Sequence, residues 1–157
     1  MAIRRRLSLI ALAAFAIDLI TKSAALTYLD SAPRKILGSF LQLELTFNSG
    51  AAFNLANSKT IFLTLFAVVV AAFILFFGGK ITSPKWAYGL GLMLGGIFGN
   101  LSDRIFRAPG ALQGEVVDWI KVSYWPTFNL ADTSIVLGAG LIILLSARNI
   151  NPIDRNS

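Results

Sequence analysis

From Thr60 to Gly79 the chain carries no charged side chain, and the stretch TIFLTLFAVVVAAFILFFGG is almost entirely apolar. A helix that crosses a bilayer needs about 20 such residues at ~1.5 Å rise each, because lipid offers the backbone no hydrogen-bond partners. That run constrains the fold more than any other feature. Three more segments read the same way, so spans are expected over 7–29, 60–78, 86–106 and 130–147, the last one short. A hydrophobic share of 55% in 157 residues is too high for an ordinary soluble domain. The expected architecture is a single all-α membrane domain, residues 1–157, with four transmembrane helices joined outside the membrane by connections 30–59 and 107–129.

The first span starts like a signal peptide, with Arg4, Arg5 and Arg6 ahead of LSLIALAAFAI, but Asp18 and Lys22 interrupt it and no A-x-A site follows. It reads as an uncleaved span. An even number of spans puts both termini on one side. If that side is the cytoplasm, Arg4, Arg5, Arg6, Lys80, Lys85, Arg148 and Arg155 lie inside. Arg34, Lys35, Lys59, Arg104, Arg107 and Lys121 then lie on longer outer segments. The difference is one of density, and the triple arginine beside the first span sets the expected orientation. The same distribution, at helix ends and not along one stripe, assigns the net charge of +6 to lipid and topology, with no nucleic-acid partner.

The outer connections carry a second signal. Residues 41–48, LQLELTFN, alternate between apolar and polar, the period of a half-buried strand, and IKVSY from Ile120 to Tyr124 alternates too. Two such strands are expected to pair into a small sheet on the outer membrane face.

Cysteine and histidine are both absent. This excludes a thiol nucleophile, a Ser-His pair, a His-based zinc site and a disulfide framework, and leaves carboxylates, Lys, Ser/Thr or Tyr for any chemistry. No cofactor or metal is expected. Asp18 sits near the middle of the first span, where a charge costs about 2.5–3.5 kcal/mol on insertion scales. Lys22, four residues on, shares its helix face, so the two read as an ion pair turned into the bundle or as a proton relay. In the third span Gly91, Gly95 and Gly99 recur every four residues and permit close approach of a neighbouring helix. On an adjacent strip Gly96, Asn100, Asp103 and Arg104 end the span in a polar cluster. Asn100 in particular needs partners at membrane depth.

Asp118 stands in GEVVDWIKV, just before the second alternating stretch, and Asp132 stands at the mouth of the last span in FNLADTSIVLGAGLIILLSA. Read alone, Asp132 is a helix cap and Asp118 a solvated loop acid. A short strand with a return would instead bring both to the outer membrane surface. Two carboxylates in a poorly solvated site share one proton and so provide an acid and a base for activating water.

The blocks DLITK (Asp18 to Lys22), NSGAAF (Asn48 to Phe53), GGIFGNLSDR (Gly95 to Arg104), GEVVDWI (Gly114 to Ile120) and FNLADTSI (Phe128 to Ile135) together resemble the lipoprotein signal peptidases, signal peptidase II. They fall in family order over most of the chain, and the combination is specific although no single block is. Two departures stand out. IFRAPGALQ, between Arg104 and Gly114, is a few residues longer than the usual pattern, and Leu19 and Ile20 stand where a polar residue often follows the Asp. The resemblance implies an aspartic protease of the bacterial cytoplasmic membrane that cleaves diacylglyceryl-modified prolipoproteins before the lipidated Cys. It implies that Asp118 and Asp132 are the catalytic pair. Asp18, Lys22, Asn48, Gly50, Asn100, Asp103, Arg104 and Asn129 match other motif positions that shape the pocket, contact substrate or support the fold. Among these, Asn100, Arg104 and Asn129 are the expected anchors of the substrate backbone. It further implies a four-helix bundle with a small periplasmic sheet cradling the substrate, membrane lipid around it, and sensitivity to cyclic peptides of the globomycin type. Two rivals remain at this point: a small transporter relaying protons through Asp18 and Lys22, and a non-catalytic scaffold built on the glycine row. A transporter predicts acids near mid-membrane and often two related halves. Here most acids fall on the outer side and no repeat appears.

Overall fold

The computed structural model describes residues 2–50 and 56–153. The elements run α1 (Ala2–Tyr28), β1 (Arg34–Leu37), β2 (Leu41–Asn48), α2 (Ala56–Gly78), α3 (Pro84–Phe106), β3 (Val116–Val122) and α4 (Leu130–Ala147). Three helical stretches, Ala2–Tyr28, Thr60–Gly78 and Leu130–Ala147, are long and apolar enough to cross a membrane. The third expected span, 86–106, is helical over Pro84–Phe106, but glycines and the Asn100, Asp103 and Arg104 cluster dilute its apolar character.

Polarity runs from inside to outside in the reverse of a soluble protein. Phe62, Phe66, Val69, Phe73 and Phe76 of α2 and Val136, Leu137 and Ile143 of α4 are exposed, while Asp18, Lys22, Thr64 and Asp103 are buried. Such a surface is stable only against lipid, and the chain is a multi-pass membrane protein.

The helix starts follow from local chemistry. α1 begins earlier than expected and takes Arg4, Arg5 and Arg6 into its first turns. Arginine is a good helix former whose charge reaches out along an apolar stem. Arg4 donates twice to Gly79 O, at 3.0 and 2.6 Å, satisfying a carbonyl just past the end of α2. α3 opens on Pro84, whose missing N–H costs nothing in the first turn.

α3 lies between α1 and α4, and its glycines let both approach. A Cβ on Gly95 would stand 2.5 Å from Ala11 O of α1, and one on Gly96 2.3 Å from Ala131 O of α4. The expected packing role of Gly91, Gly95 and Gly99 is what the structure contains: Gly91 meets Ile10 and Leu7, and Gly99 meets Asp18 and Ala131.

The sheet has three antiparallel strands in the order β1-β2-β3, not two. β1 escaped the reading because all four of its residues are exposed and carry no alternation of burial. β2 matches the expected 41–48. β3 starts before the expected 120–124, so Asp118 lies within the strand and not ahead of it. Val116, Val117 and Asp118 are all buried, which erases the period-two signal at this end.

Candidate active site

β3 pairs with β2 so that Asp118 lies opposite Thr46 and Val116 opposite Asn48. Asn48 and Asp118 are therefore diagonal neighbours on one face of the sheet, and Asn48 Nδ2 donates to Asp118 Oδ2 at 2.9 Å. After β3 the chain turns and lies back along the strand for one bridge, Ile120 to Phe128. This return sets Asn129 beside Asp118 and starts α4. It is the strand-and-return arrangement expected from the sequence.

Asp132 is not the cap of α4. Asn129 is the N-cap and Asp132 is the third residue of the helix, the two forming a reciprocal capping box. Asp132 N donates to Asn129 Oδ1 at 2.9 Å, and Asn129 N donates to Asp132 Oδ2 at 3.3 Å. The side chain of Asn129 also reaches Asp118 Oδ1, Nδ2 donating at 2.7 Å. One residue thus touches both carboxylates and joins them into one site. Asp118 is buried, whereas Asp132 is partly open and borders two cavities.

The amides around the pair have fixed orientations. Asn48 Oδ1 accepts from Gly50 N at 2.8 Å, and Asn129 Oδ1 accepts from Asp132 N. A backbone N–H can only donate, so each amide must turn its own N–H toward Asp118. Burial pushes the Asp118 carboxyl up to about 6 from its ordinary 3.8; the Asn48 amide opposes this and the charge of Asp132 adds to it.

Beneath the pair lies a buried charged cluster. Lys22 Nζ contacts Asp18 Oδ2 and Asp103 Oδ2, each at 2.8 Å, and donates to Asn100 Oδ1 at 3.0 Å. Asp18 Oδ1 accepts from Ala131 N at 2.8 Å, so α1 caps an orphan donor in the first turn of α4. Asp103 also accepts from Arg107 Nε and from Val117 N, the latter at 3.2 Å, tying α3 to β3. Asn100 Nδ2 donates to Asp132 Oδ1 at 2.7 Å.

All ten residues singled out from the sequence are among those described, and they converge. Asn100 and Asn129, expected to anchor substrate backbone, direct amide N–H groups at Asp132 and Asp118 respectively. Arg104 lines the larger cavity and donates to Gly114 O at 3.1 Å. Gly50 has a φ of +79°, and a Cβ there would meet Leu63 and Arg104. Ala51–Phe53 of the NSGAAF block lie outside the described residues. The cavity, about 290 Å³, lies between α2, α3, α4 and the sheet and is lined by Asn48, Leu63, Ala67, Asn100, Arg104 and Asp132 among others. A second cavity, about 280 Å³ and mostly apolar, flanks Asp132 on the other side against Trp125, Phe128, Val136 and Leu137.

Two features escaped the sequence reading. Thr64, buried in α2, donates to Leu112 O at 2.8 Å and holds the 105–113 segment against the cavity wall. A lone threonine in an apolar helix gives no such signal. Asp18 as a cap for another helix was likewise invisible, since the spacing from Asp18 to Ala131 has no local meaning.

Fold and site together define a multi-pass helical membrane protein with two carboxylates gathered on one asparagine beside a cavity. Comparison with known proteins narrows this. A family model described as signal peptidase (SPase) II matches residues 10–148, and the chain belongs to this family of aspartic peptidases. It is 45% identical over 152 residues to a lipoprotein signal peptidase of Rhodococcus jostii, covering 95% of this chain and 77% of that protein. It is 47% identical over 146 residues to that of Mycobacterium avium, covering 90% and 80%. Two solved structures of bacterial membrane enzymes, determined by the in meso method, share the fold. One has a TM-score of 0.77 at 28% identity, covering 88% of this chain and 90% of that one. The other has a TM-score of 0.76 at 26% identity, covering 95% and 92%.

Proposed function

We propose that this chain removes the signal peptide from diacylglyceryl-modified prolipoproteins, cutting before the lipidated Cys. A water molecule held between Asp118 and Asp132 attacks the scissile carbonyl. Asp132 takes the proton of the water while Asp118, protonated, gives its own to the carbonyl oxygen. When the tetrahedral intermediate collapses, Asp132 passes its proton to the leaving nitrogen and Asp118 recovers one from the diol. The pair ends as it began. The observation that carries this reading is the placement of Asp118 and Asp132 on one asparagine, Asn129, at the edge of the cavity. The raised pKa of Asp118 supports its assignment as the acid.

In this reading all four helices cross the membrane, both termini are cytoplasmic, and the sheet with the site faces the extracytoplasmic side. The arginine-rich start of α1 stands at the opposite end of that helix from the sheet, in accord with the positive-inside rule. The lipid chains of the substrate stay in the bilayer, so membrane partitioning contributes much of the binding, and globomycin-type cyclic peptides compete for the site. The transporter alternative is not favoured: Lys22 is held by three acceptors at 2.8 to 3.0 Å in a structural cluster.

Purified protein is incubated with a precursor carrying the diacylglyceryl group and with the same precursor lacking it, and the products are mapped by mass spectrometry. Cleavage before the Cys of the lipidated form alone is expected. Cleavage elsewhere, or equal cleavage of both forms, would overturn the proposal.

A further inference from the structure

We infer that Lys22 is a positioning residue of the aspartate pair, acting across the bundle through the amide of Asn100. This deepens the proposed function and rests on it.

Lys22 is fully buried, and its ammonium contacts Asp18, Asp103 and Asn100 Oδ1. An ammonium has three donors and no acceptor. Asn100 must therefore turn its oxygen toward Lys22, an orientation that Asn129 Nδ2 reinforces at 3.2 Å. Its N–H group is then forced toward Asp132 Oδ1, 2.7 Å away. The other oxygen of Asp132 accepts from Asn129 N. With an N–H on each oxygen, Asp132 is set to accept at both, the arrangement that suits a group taking a proton from water.

Were residue 22 able to accept as well as donate, only the longer 3.2 Å contact from Asn129 Nδ2 would oppose a flip of the Asn100 amide. It would then set a carbonyl against the carboxylate, an arrangement tolerable only with Asp132 protonated. The proton of the pair would be in the wrong place. Lys22 thus decides which aspartate starts the reaction as the base, from the first helix.

Other charges lie around Asp132: Asp118 from β3 and Arg104 from α3, with Asp18 and Asp103 held on Lys22. Within its described side chains α2 presents no charge. None of these groups donates to Asn100 except Lys22.

The plain alternative is that Lys22 only fastens α1 to α3. The two roles separate in kinetics measured on the full-length enzyme with a lipidated precursor, across the acidic to mildly alkaline range. For Lys22→Gln, kcat is expected to fall about 10- to 100-fold, the worth of one hydrogen bond to a charged group, with KM unchanged. The acid limb of the pH profile moves to higher pH. A fastening role lowers the amount of active enzyme equally at every pH and moves neither limb. Asn100→Asp provides a second variant, since Lys22→Gln leaves two buried carboxylates without their cation. The aspartate keeps an acceptor for Lys22, preserving all its contacts, but presents no N–H to Asp132. The same loss and a shift of the acid limb in the same direction are expected, because the Asn100 N–H is the link between Lys22 and Asp132. Unmoved limbs in Lys22→Gln, or full activity in Asn100→Asp, would overturn the inference. Loss of turnover in Asp118→Asn and Asp132→Asn, with no limb shift in either variant above, would refute the role of Lys22 alone; active Asp118→Asn or Asp132→Asn would refute the proposed function.

Discussion

A single methyl group on Gly96 tests whether the helix packing sets the chemistry. Gly96 Cα faces the first turn of α4, and a Cβ there would sit 2.3 Å from Ala131 O and 2.8 Å from Ile135 Cγ1. Ordinary contact begins at 3.4 Å, so α4 must retreat by about 1 Å at the residue preceding Asp132. Overpacking of this kind costs about 1–3 kcal/mol, and the better helix propensity of alanine offsets about 1 kcal/mol of it. Gly96→Ala should therefore still fold. A displacement of about 1 Å at a reacting group, however, costs about 100-fold in rate. Gly140 is the matched control, because a Cβ there meets nothing within 4 Å. Gly140→Ala should keep full turnover and gain up to about 1 kcal/mol of stability. Both variants are assayed for kcat on a lipidated precursor and for thermal unfolding in the same detergent. If Gly96→Ala folds and turns over within a few-fold of the parent, the link from packing to catalysis is refuted.

Four other outcomes follow from the same geometry. Asp118 keeps its proton up to a pH of about 6, so kcat/KM should be lost as pH rises through that value; a profile flat across it would contradict the assignment of Asp118 as acid. The linkage has the same sign: the folded state holds this proton more tightly than the unfolded chain, so the contribution to stability is full below 3.8 and is lost as pH rises through about 6, which thermal unfolding against pH reads directly. Asp18→Ala removes one partner of buried Lys22 and the acceptor of Ala131 N, and should destabilise the fold by about 3–5 kcal/mol, seen as a lowered unfolding midpoint. Ala67→Phe places a ring in the cavity beside Asp132 and should raise KM with little change in kcat; an unaltered KM would remove this cavity from the substrate path.

The apolar runs and the glycine spacing made the helices and their contacts legible, because lipid imposes one strong rule on composition and close packing imposes another. Strand β2 was legible by its alternation. β1 and the first half of β3 were not, since a wholly exposed strand and a doubly buried one both lack a period of two. The convergence of Asp118 and Asp132 was readable as chemistry, given the absence of Cys and His, and as a strand with a return, but not in its register. It depends on the register that sets Asn48 diagonal to Asp118 and on the single bridge from Ile120 to Phe128. The contacts of Asn100 and Asn129 with the two carboxylates were not legible for a related reason. A buried amide in a sequence announces that it needs partners, and only coordinates say whether those partners are substrate or protein.

Turnover of Asp118→Asn and Asp132→Asn, purified in the folded state and given the lipidated precursor, tests the two-aspartate mechanism most directly. Each substitution removes one carboxylate while keeping its size, so no proton can be both held and accepted by the pair. Cleavage is expected to fall by several orders of magnitude in both. Turnover near the parent rate in either, from protein with an unchanged unfolding midpoint, would contradict the two-aspartate mechanism.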